Sequence, residues 1–122
     1  MSSIQDNEAP NVITETRFRT LMQSGYLAEV YCQSSAFNKS AVWYGVWVIR
    51  IIDQDRTFMK LLVPARSMSD KHDEIRIREF KTANGLISFL ASMGCTHANV
   101  PLQEGGVSTH ALPVELLTKD ED

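Results

Sequence analysis

Neither a metal-ligand spacing nor a redox pair can be built from the only two cysteines of this 122-residue chain, Cys32 and Cys95. The N-terminus has no basic stretch followed by an apolar one, so no secretory signal is visible and the thiols are expected to be reduced in a cytoplasmic protein. The longest apolar run, Ala41 to Ile52, is broken by Gly45 and Arg50 and is too short to cross a bilayer. No GxGxxG, Walker or GxSxG pattern occurs, and Gly105-Gly106 reads as a flexible pair rather than a phosphate cradle. His72, His97 and His110 lack helical metal-ligand spacing, and neither cysteine sits in CxxC or CxxH. A Cys95–His97 dyad has no third group to orient it. Asp53 and Asp55 stand in a turn, where carboxylates bond the local backbone. These absences point away from an enzyme, with no cofactor and no metal, and towards binding.

What is present suits one hydrophobic core: 43% hydrophobic and 22% charged residues, at a net charge of −3. The charge is unevenly spread. Residues 1–16 carry −3 and residues 103–122 carry −4, while 17–102 hold eleven Lys and Arg against seven Asp and Glu. A basic body between acidic ends can attract a polyanion or an acidic partner, and acidic ends also serve solubility.

Periodicity predicts an α+β domain with a mostly antiparallel sheet of about five strands and two helices, in the order α-β-β-β-β-α-β. Residues 1–13 read as a disordered N-terminal segment, 14–102 as the domain, and 103–122 as an acidic flexible tail. A helix is expected at about 15–24, with Thr14 as N-cap and Gly25 at C′. Strands follow at 26–33, 41–52 and 57–63, the first two joined by the polar run Ser34–Ser40, and Pro64 ends the third. After a polar loop at 66–74 come a strand at 75–80, a helix at about 83–93 between Thr82 and Gly94, and a last strand at about 95–101.

Two features carry a binding claim. Arg50, Lys60, Arg76, Arg78 and Lys81 form a basic stripe if their strands are neighbours, and Arg76, Arg78 and Phe80 share a face in the alternation that single-stranded nucleic-acid sheets use. A solvated strand face explains the same residues. Trp43 and Trp47 lie on one face of a strand, about 13 Å apart. They serve either as core or as interface or base-stacking anchors.

Trp47-Val48, Leu61-Leu62, the run Arg76, Arg78, Phe80, Lys81, Thr82, and then Leu86, Leu90 and Gly94 resemble small accessory proteins encoded beside plasmid partition genes, a ParC-type, partition-associated group. The resemblance covers about residues 47–102. It implies a non-catalytic accessory binding protein of plasmid or mobile-element maintenance. The expected partners are protein, with partition proteins foremost, and a second copy in a homodimer; no membrane is involved. The alternative is direct nucleic-acid binding through a basic and aromatic sheet face.

Overall fold

The computed structural model describes residues 11–64 and 76–118. The expected disorder at 1–10, the polar loop at 66–74, Ile75 and residues 119–122 of the acidic tail lie outside the described residues. The chain runs through β1 (Val12–Ile13), α1 (Glu15–Gln23), β2 (Leu27–Lys39), β3 (Val42–Ile52), β4 (Met59–Leu62), β5 (Phe80–Thr82), α2 (Ala83–Met93), β6 (Val107–His110) and a 3₁₀ turn at Val114–Leu116. This is the expected α+β class: the six strands form one sheet in the order β1-β4-β3-β2-β6, with β5 also on β3. Among the described residues, β1 and β4 alone pair in parallel; the other pairs are antiparallel.

The second helix begins and ends where short-range chemistry directs. The Thr82 hydroxyl accepts a hydrogen bond from the Gly85 N–H at 3.0 Å, satisfying one orphan donor of the first turn of α2. Gly94 closes α2 in the left-handed region at φ 112°. A Cβ there would also lie 3.1 Å from Leu116 and 3.2 Å from Leu112, so the returning chain packs directly on the helix end. Thr14 stands at the N-cap of α1 in extended conformation but makes no side-chain cap.

The core is a single layer between the sheet and the two helices. Ala28, Val30 and Cys32 of β2 pair with Ile51, Ile49 and Trp47 of β3, so the six side chains stand together on one face. Against them pack Phe18 and Met22, four apart on α1, and Leu86, Phe89, Leu90 and Met93 of α2. Full burial of each large apolar side chain contributes about 1.5–3 kcal/mol. Trp47 is wholly buried, and its indole N–H donates to the Pro101 carbonyl at 2.8 Å. Its ring folds back over Gly45, where a Cβ would come within 2.8 Å of the indole. The second face is lined in part too, with Val48 and Ile52 buried there.

Five segments differ from the sequence reading. The strand expected at 26–33 continues to Lys39, and the polar run read as a loop is strand, leaving only Ser40-Ala41 as the turn. The strand expected at 75–80 pairs only from Phe80, while Arg78 donates a single backbone bond to Leu62. No strand forms at 95–101. The edge strand is Val107–His110, inside the stretch read as flexible tail, and it pairs with Tyr31 to Ala28. At the other end, Val12 and Ile13 pair with Leu61 and Leu62 instead of being disordered.

Candidate functional site

The basic stripe does not assemble. The register sets Arg50 opposite Leu61 and Ile51 opposite Lys60, so Arg50 and Lys60 point to opposite faces of the sheet. Arg50 turns to its cross-strand partner Glu29, with Nε 2.7 Å and Nη2 2.6 Å from Oε1. Arg56, held at a φ of 62° in the β3–β4 turn, reaches the other oxygen of Glu29 at 2.9 Å. Glu29 is 2% exposed, and two guanidinium groups compensate the cost of burying its carboxylate. Lys60 lies over the Phe58 ring at 5.4 Å. Arg78 is held by Glu15 at 3.2 Å and lies over the rings of Phe80 and Phe89, clamping α1, β5 and α2 together. Phe80 itself is buried, not displayed beside the arginines. Lys81 is 3.6 Å from Glu79 and well exposed, and Arg76 is exposed in the irregular run before β5.

The two tryptophans part company. Trp47 is core, while Trp43, near the start of β3, is 46% exposed. Trp43 belongs to an apolar surface around the tip of the β2–β3 hairpin. Phe37 is 55% exposed and stacks on Tyr44 across the strands, with ring centroids 5.7 Å apart. Val42 and Trp43 with Ile87 of α2 wall a notch of about 440 Å³, whose floor includes Thr82, Ala83 and Asn84. On the Phe37–Tyr44 side, Lys39 and Ser40 complete a second hollow of about 350 Å³. The tip turns on Ser40 (φ 54°) and Ala41 (φ 66°), two left-handed residues at positions that favour Asn and Gly. Strain of this kind concentrates at functional places.

Elsewhere, Cys32, Cys95, Asp53 and His110 take part in the fold. Burial pushes the Cys95 and Cys32 thiols up, away from the thiolate a nucleophile needs. Asp53 accepts hydrogen bonds from the Thr57 hydroxyl at 2.7 Å and from the Thr57 and Phe58 N–H groups. The Thr57 hydroxyl is the main cause that lowers its pKa, and the carboxylate is occupied in shaping its turn. His110 accepts from the Asn99 N–H through Nε2 at 2.8 Å, while Ser108 donates to the Asn99 carbonyl at 2.6 Å, tying the segment after α2 to β6. Among the described residues, no group of three His, Cys, Asp or Glu could hold a metal ion, and no helix is long and apolar enough to cross a membrane.

No protein-family model, no curated protein and no solved structure matches this chain. The sequence reading missed Glu29, Arg56, Phe37, Val42 and Ile87. Phe37 was the one available signal: a large aromatic inside an otherwise polar run is hard to explain as a plain loop.

Proposed function

We propose that this chain is a non-catalytic accessory binding protein that acts through protein–protein contacts made by the β2–β3 tip and the start of α2. The observation that carries this reading is the contrast between the two kinds of candidate residue. Arg50, Arg56 and Arg78 are engaged by the chain's own carboxylates, whereas Phe37, Val42, Trp43 and Ile87 are left exposed at one end of the molecule. Exposed aromatic and aliphatic side chains gathered beside hollows are what an interface buries at its centre. A setting in plasmid or mobile-element maintenance, with partition proteins as partners in the cytoplasm, rests on the sequence resemblance. Self-association into a homodimer is part of the same proposal, and sedimentation over a range of concentrations tests it.

Direct nucleic-acid binding is the weaker reading, because neutralised arginines release few counterions from a phosphate backbone. The deciding experiment places a photocrosslinking benzoylphenylalanine at Phe37 and, as a control, at Thr109 on the far edge of the sheet, in the producing cells. Protein adducts at position 37 and none at 109 are expected. Equal labelling at both positions, or nuclease-sensitive adducts at 37, would count against the proposal.

A further inference from the structure

We infer that the notch between the hairpin tip and the first turn of α2 receives a short peptide segment of a partner protein, carrying one bulky apolar anchor flanked by carboxylates. This rests on the protein-binding reading above and names what the partner must present. The walls are apolar, formed by Val42, Trp43 and Ile87, and a space of about 440 Å³ admits one or two large side chains but no folded element. Among the described residues no charged one lines it, and the first turn of α2 carries no acidic side chain. Two cations stand next to its lining residues: Lys39, which lines the neighbouring hollow, is the cross-strand partner of Val42, and Lys81, 65% exposed and 3.6 Å from Glu79, immediately precedes Thr82. An apolar anchor with neighbouring acidic residues matches that distribution, whereas a basic segment is repelled.

The notch itself sets the occupant: at about 440 Å³ it takes single side chains of an extended segment. The exposed parts of Phe37, Val42, Trp43 and Ile87 amount to roughly 400 Å², close to the apolar share of one side of a standard interface, so self-association through this face is an outcome the test separates. Single-stranded nucleic acid fits less well. It needs a track of cations alongside open ring faces, and here Trp43 stands beside the aliphatic side chains of Val42 and Ile87.

The test selects peptides from a random heptapeptide library displayed on phage against the full chain, then titrates the synthetic winners. Trp43 is the reporter, because Trp47 is wholly buried and shielded from iodide. The expected winners carry Leu, Ile, Phe or Met beside Asp or Glu and protect Trp43 from iodide quenching. They should bind at least about tenfold more weakly to Ile87→Lys, and about three- to tenfold more weakly to Lys39→Glu and Lys81→Glu, with the lysine effects shrinking as salt rises. Ile87→Ala, a milder change at a half-exposed site, should weaken binding while leaving the unfolding curve in place. Basic or patternless winners, no winners at all, or binding indifferent to both Ile87 variants would overturn the inference. Oligo-dT protecting Trp43 from iodide, or a dimer that Ile87→Lys dissociates, would overturn it in favour of the other occupants. Failure here alongside protein adducts at position 37 would leave the broader binding proposal standing; failure of both would remove it.

Discussion

The inner half of the β2–β3 hairpin, residues 27–32 against 47–52, keeps one unbroken register, and its odd-numbered β3 side chains Trp47, Ile49 and Ile51 are wholly buried. The outer half, 37–39 against 42–44, uses the same two strands and ends with Phe37 and Trp43 in solvent. Between them the pairing slips twice, at Cys32–Ser34 and Ser34–Phe37. Bulges of this kind increase twist and re-aim side chains. The strand alternation that builds the core therefore stops serving it past Gly45. The outer strands run on beside the first turn of α2, and aromatics placed there cost exposed apolar surface without adding to the core. A hairpin kept in that form is better explained by contact than by stability.

The sharpest way to break this comparison is to truncate the two tryptophans separately. Trp47→Ala should cost about 3–5 kcal/mol, since it opens a cavity and orphans the Pro101 carbonyl. Trp43→Ala should cost less than about 1 kcal/mol. Urea unfolding measures both, and similar losses would mean that the tip is core. Next in size is Glu29→Ala, which leaves Arg50 and Arg56 without their shared carboxylate. Both arginines keep access to water, so the expected loss is about 2–3 kcal/mol, below that for a fully buried pair.

A smaller effect should appear with pH. Burial lowers the pKa of His110, while the nearby Ala28 backbone, outside hydrogen-bonding geometry, pulls weakly the other way. The Asn99 N–H occupies Nε2, so the neutral ring carries its hydrogen on Nδ1, and a second proton would break that bond. The unfolded chain thus takes up the proton more readily than the folded one. The stabilisation is complete above the ordinary pKa of 6.5 and is lost as pH falls through the lower folded value. His110→Gln should flatten that slope in urea midpoints measured from about pH 7.5 down to about pH 5. The smallest change is at the turn, where Ser40→Asn with Ala41→Gly should add about 1 kcal/mol by suiting the two left-handed positions.

Where local chemistry sets an element, the sequence shows it. The Thr82 cap, the Gly94 stop, the apolar stripe of α2 and the long β-branched strand β3 all stand where their residues indicate. Where pairing at a distance decides, it does not. In β6 the polar Ser108 and His110 turn inward and Val107 outward, the reverse of the hydrophobic pattern, so periodicity favours 95–101 instead. The Glu29–Arg50 pair is hidden for a related reason. Counting back from the Ser40-Ala41 turn sets Arg50 opposite Tyr31, and only the two register slips bring Glu29 there. The candidate site suffers most, since Arg50 and Arg78, named from the strand pattern, bond carboxylates whose positions depend on the fold.

The most direct test of the central claim is a peptide-binding titration on a variant carrying Phe37→Ser and Ile87→Ser together, with Trp43 kept as the reporter. The two changes should leave the urea midpoint within about 1 kcal/mol of the unaltered chain, because neither side chain belongs to the buried core. Binding of the selected apolar–acidic peptide should nonetheless be lost. A folded variant that binds the peptide unchanged would contradict the assignment of the hairpin tip as the contact surface.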